Sequence, residues 1–134
     1  MKWPLRTLWA IAGIIWFFWI GFEDRGIQTV VIVAIGFAVP LGFQLFATWK
    51  RFAIHTQVAW MLRSMFSGAI AGIFVSPIAI LLVLIKISLH QHDVPDFSGM
   101  DLQNLWQRTP FWLLAGMLFG AAGGVWGWHQ KSLQ

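Results

Sequence analysis

A chain of 134 residues that is 58% hydrophobic and 10% charged cannot hide its apolar side chains in one water-soluble core, since soluble domains carry about 25% charged residues. Its net charge of +4 does not describe a nucleic-acid surface, because Lys and Arg stand singly or in pairs beside apolar runs; no nucleic-acid partner is expected. The sequence has no cysteine, which excludes disulfides, thiolate metal sites, iron–sulfur clusters and thioether-linked haem.

Taken in order, the sequence predicts four membrane spans in a single membrane domain of residues 1–134, with no separate catalytic domain. The first covers residues 4–22: Lys2 and Arg6 lead into an apolar, aromatic-rich run that ends at Glu23 without a small-x-small cleavage site, so it reads as an uncleaved span rather than a secretory signal. Glu23 to Gly26 is long enough only for a tight turn. The second span, residues 27–49, contains Pro40, which frees the carbonyl of Gly36 and is expected to bend the helix. Gln44, polar in an apolar helix, is expected to face another helix.

Residues 50–64 alternate basic and apolar side chains without one apolar stripe and are read as the cytoplasmic ends of spans two and three with a turn between them, partly in the lipid headgroup layer. The third span, residues 65–89, has no charge from Met65 to Ile85 and carries Gly68, Gly72 and Ser76 at four-residue intervals. Lys86 at its end is expected to snorkel to the membrane surface and to pair with Asp93 or Asp96. An outer loop of residues 90–109 follows, within which Ser98 and Asp101 resemble a capping box, with Leu102, Leu105 and Trp106 on one side of a short interfacial helix. Thr109 as cap and Pro110 at a first helical position open the fourth span, residues 110–128, which carries Gly116, Gly120 and Gly124. The two small-residue ladders lie on neighbouring antiparallel spans. Gly68/Gly72/Ser76 is therefore predicted to pack against Gly116/Gly120/Gly124, with docking of another subunit as the alternative use of the fourth-span ladder.

Charge sets the orientation. Lys2, Arg6, Lys50, Arg51, Arg63 and Lys131 fall on the side of the two termini, and all five acids, Glu23, Asp24, Asp93, Asp96 and Asp101, fall on the other. An excess of Lys and Arg marks the cytoplasmic side, so an N-in/C-in four-transmembrane-helix bundle in a bacterial-type cytoplasmic membrane is expected.

Chemistry-bearing motifs are sparse. His90, His92 and Asp93 form a weak metal candidate, since i and i+2 positions of an extended segment point the same way, although hydrated loop residues explain them as well. His55, His90 and His129 lie at span ends, where they serve as interfacial residues or, less simply, as axial ligands to haem or chlorophyll. There is no nucleophile elbow, phosphate-binding glycine loop, His-Glu-x-x-His or intramembrane carboxylate pair. The expectation is a non-catalytic accessory or assembly subunit, in contact with lipid and with other membrane subunits or copies of itself. An oligomeric channel or small-solute transporter is the alternative, and a haem- or chlorophyll-binding subunit a third reading.

Overall fold

The computed structural model describes residues 2–21, 26–49, 56–89 and 97–132. They form five helices and, among the described residues, no strand. These are α1 (Lys2–Gly21), α2 (Ile27–Thr48), α3 (Gln57–Leu89), α4 (Gly99–Gln107) and α5 (Thr109–Ser132). Three helical stretches are long and apolar enough to cross a membrane: α2, α3, and α4 with α5. The apolar part of α1, Leu5–Ile20, is shorter.

The third helix begins well before the position its composition suggested. Residues 57–64, read from sequence within the turn and the cytoplasmic ends of spans two and three, all belong to this helix, which Thr56 caps: its hydroxyl accepts from the Ala59 amide at 3.3 Å and its carbonyl from the Trp60 amide at 3.1 Å. With 33 residues, α3 is ~50 Å long at 1.5 Å per residue, well over a ~30 Å hydrocarbon core. Arg63 and Lys86 bracket its charge-free segment and stand ~34 Å apart along the axis. The charge-free segment between the two cations is thus long enough to cross such a core, and about a turn or more of helix extends past each cation.

The start of α4 is a complete capping box. The Ser98 hydroxyl accepts from the Asp101 amide at 3.3 Å, and the Asp101 carboxylate accepts from the Ser98 amide at 2.8 Å. Leu105 is buried and Leu102 half-buried against the core, whereas Trp106 is 60% exposed. The expectation that all three share one apolar side fails at Trp106, one residue and about 100° of helix past Leu105. Arg108 alone separates α4 from α5. The Thr109 hydroxyl donates backward to the Trp106 carbonyl at 2.7 Å, closing the end of α4, instead of capping α5.

The helices form an open row: α1 packs along α2, α2 along α3 and α3 along α5, and no extended contact joins α1 to α5 among the described residues. The core lies between α2 and α3, where Val30, Val33, Ala34 and Ala38 meet Val75, Ala79, Leu82 and Val83, and it is closed at one end by Trp19, Phe97 and Leu105. Because α5 contributes little more than the half-buried Trp112 to this cluster, something other than side-chain interdigitation must hold it. That contact is made by glycines.

Candidate functional site

Between α3 and α5 the backbones approach so closely that no side chain fits. A Cβ placed on Gly68 would strike the Gly116 carbonyl and lie 3.1 Å from Gly120 Cα; one on Gly72 would strike the Trp112 carbonyl. Reciprocally, Gly116 faces the Gly68 carbonyl and Gly120 faces the Ser64 carbonyl, while a Cβ on Gly124 would come within 2.9 Å of Ser64 Cβ. No glycine among the described residues has a positive φ, so these glycines serve approach and not an unusual backbone.

The antiparallel register differs from the sequence expectation at its ends. Rising along α3 means descending along α5, so Ser64, Gly68 and Gly72 meet Gly120 with Gly124, Gly116 and Trp112 respectively. Ser76 lies a further turn along α3, level with the start of α5, and does not reach Gly116, the end of the ladder it was expected to meet. It is 1% exposed, and its hydroxyl has no hydrogen-bond partner. A Cβ on Gly127 would lie 3.4 Å from the Trp60 indole nitrogen, and a Cβ on Gly123 would meet nothing within 4 Å. On the other side of α3, a Cβ on Gly42 would sit 3.0 Å from Ala71 Cβ, continuing the i+4 row of Val30, Ala34 and Ala38 along α2.

That row also decides Gln44. Two residues past Gly42 puts it on the opposite side of α2, where it is exposed beside Phe43 and faces no other described helix of this chain.

Two buried cations mark the ends of α3. Arg63 is 5% exposed. Its Nη2 donates to the carbonyl of Phe46, and its guanidinium carbon lies 4.5 Å from the centroid of the Phe46 ring and 5.9 Å from that of Trp60. Phe46 belongs to the last turn of α2, where carbonyls run short of backbone donors; the neighbouring Leu45 carbonyl accepts the Trp49 amide and also the Thr48 hydroxyl, the latter at 2.8 Å. Arg63 thus completes the end of α2 from a different helix and places positive charge at its negative dipole end. Around it Phe46 and Trp60 meet edge to face, Trp49 stacks on Phe66, and Trp60 reaches Trp128, tying α2, α3 and α5 into one aromatic layer. Sequence reasoning assigned Arg63 only to the charge count. Its signal was its place, three residues after Trp60 and three before Phe66, on a stretch with aromatics on both sides.

At the other end, Lys86 does not snorkel. It is 1% exposed in the last turn of α3, with its ammonium 4.7 Å from the centroid of the Trp19 ring. The face of the indole supplies the electron-rich surface that water was expected to supply. Asp93 and Asp96, proposed from sequence as its partners, lie outside the described residues, as do His55, His90 and His92. His129 is exposed near the end of α5. Among the described residues no three His or acidic side chains gather to hold a metal ion.

The buried polar side chains Arg63, Ser64, Ser67, Ser76 and Lys86 all belong to α3. They supply cationic donors and hydroxyls along one helix. Comparison with family models, curated proteins and solved structures returned no match.

Proposed function

We propose that the chain is a multi-pass protein of a bacterial-type cytoplasmic membrane, crossing four times with both termini inside, and that it acts without catalysis as an accessory or assembly subunit of a larger membrane complex, bioenergetic assemblies included. The observation that carries this reading is the position of α5. Only 6% of the apolar stretch containing it is buried, against 33% for the corresponding stretches of α2 and α3. It rests on one neighbour along a glycine seam and turns Phe111, Leu118, Phe119 and Trp126 outward. A helix at the edge of an open row, with large aromatics on its free side, suits a chain that adds to other membrane helices.

The channel alternative finds less support. Val30, Ala34, Ala79 and Val83 are fully buried and fill the space between α2 and α3, so a solute path would have to form between copies.

Affinity purification in mild detergent from native membranes tests the proposal. Under the accessory reading, unrelated membrane subunits co-purify in fixed ratio, and the Phe119→Ala/Trp126→Ala double variant releases them. Recovery of copies of this chain alone would turn the assignment to a self-assembling channel. A haem or chlorophyll absorbance that disappears on replacing His129 would instead support pigment binding.

A further inference from the structure

Arg63 holds a permanent positive charge in an almost fully buried position, and among the described residues no carboxylate side chain lies near it. Asp101, the acidic residue among them, belongs to α4, beyond the far end of α3, and Leu89 alone is ~39 Å along the helix from Arg63. Of the five N–H donors of a guanidinium, one is taken by the Phe46 carbonyl, and Nε is buried with no acceptor. A carbonyl and two aromatic faces orient the group without neutralising it.

We propose that Arg63, held between Phe46 and Trp60, is the binding site for the phosphate of an anionic phospholipid. Depth favours this occupant. Arg63 and Lys86 are separated by ~34 Å, a little over the hydrocarbon thickness, which sets Arg63 at the level where lipid phosphates begin. The surrounding indoles of Trp49, Trp60 and Trp128 suit the same headgroup layer. The planar fork of a guanidinium matches two phosphate oxygens, which a lysine at this position would not. The assignment is independent of which leaflet this end occupies and of any partner subunit.

Native mass spectrometry of the full chain, released from nanodiscs of phosphatidylcholine containing one-tenth phosphatidylglycerol, tests it. The wild type should retain phosphatidylglycerol at least fivefold above its bulk proportion. Arg63→Met should fall to the bulk proportion, and Arg63→Lys, which keeps the charge and the fold, should lose most of the enrichment. Arg6→Gln, at an exposed basic residue on α1, should retain it in full. Equal enrichment in wild type and Arg63→Lys, or loss with Arg6→Gln, would overturn the assignment in favour of general surface charge. Inorganic phosphate added to pure phosphatidylcholine nanodiscs separates the two sources of a phosphate: a thermal shift with phosphate alone that Arg63→Lys abolishes would overturn the lipid and leave a free-anion site.

Discussion

Gly116 and Gly123 are the same residue type in the same helix, about two turns apart, and their surroundings differ. A Cβ on Gly116 would drive into the Gly68 carbonyl and stand 3.2 Å from Gly72 Cα, while a Cβ on Gly123 meets nothing within 4 Å. Gly116→Ala is therefore expected to destabilise the α3–α5 contact by about 1–3 kcal/mol through overpacking against rigid backbone. Gly123→Ala should be neutral or gain up to about 1 kcal/mol from helix propensity. Thermal unfolding in detergent, followed by tryptophan fluorescence, separates them; equal behaviour of the two variants would mean that the backbones are not in contact. The four-residue spacing made the ladders legible in the sequence, because small residues at that interval serve close packing. Their register was not, because two ladders of equal period fit each other at several offsets and only the packed backbones choose. Lys86 was misread for a related reason. A lysine at the end of an apolar run has water within reach in isolation, and its burial depends on Trp19 arriving from another helix.

At the scale of elements, α3 and α4 mark the two ways in which sequence and structure part. The body of α3 was evident from its uncharged run, but its first two turns were not, since a helix that leaves the membrane loses the uniform apolarity by which it is recognised and is defined instead by its Thr56 cap. The helix α4 was legible because its start signal is local: Ser98 and Asp101 satisfy each other's backbone amides without help from the rest of the fold. This box also has a pH signature. The hydrogen bonds that Ser98 donates, backbone amide first and hydroxyl second, favour the charged carboxylate and lower the Asp101 pKa from its ordinary 3.8. A carboxylate depressed in the folded state contributes stability that is complete above its unfolded pKa and is lost as the pH falls through the lower, folded value. The start of α4 should accordingly hold at pH 5 and loosen only in acid. In an NMR titration the Ser98 amide should shift with a midpoint below 3.8, and Asp101→Asn should abolish the transition. A midpoint at or above the ordinary value would show that the box does not form in the membrane.

For the molecule as a whole, the open row gives α1 an importance that its short apolar stretch conceals. Leu5–Ile20 covers ~24 Å, and the full helix Lys2–Gly21 ~30 Å, so α1 crosses a bilayer only if its ends sit at the headgroups; the mismatch of a few Å costs fractions of a kcal/mol per Å. Its contacts favour that placement, with Trp9 against Phe37 of α2 at 6.3 Å and Trp19 beneath the Lys86 ammonium, so that α1 runs along its neighbour instead of lying on the surface. Parity follows from the count: with α1 as a span, the two termini share a side, and the proposed orientation, argued from the excess of basic residues, puts that side in the cytoplasm. Because the sequence is free of cysteine, Lys2→Cys and Lys131→Cys report on this without background. Both should react with a membrane-impermeant maleimide in inside-out vesicles and neither in intact cells. Labelling of Lys2→Cys alone from outside would mean that α1 does not cross and that the row holds three spans. Labelling of both would invert the orientation while leaving the four spans intact, since parity depends on geometry and direction on charge.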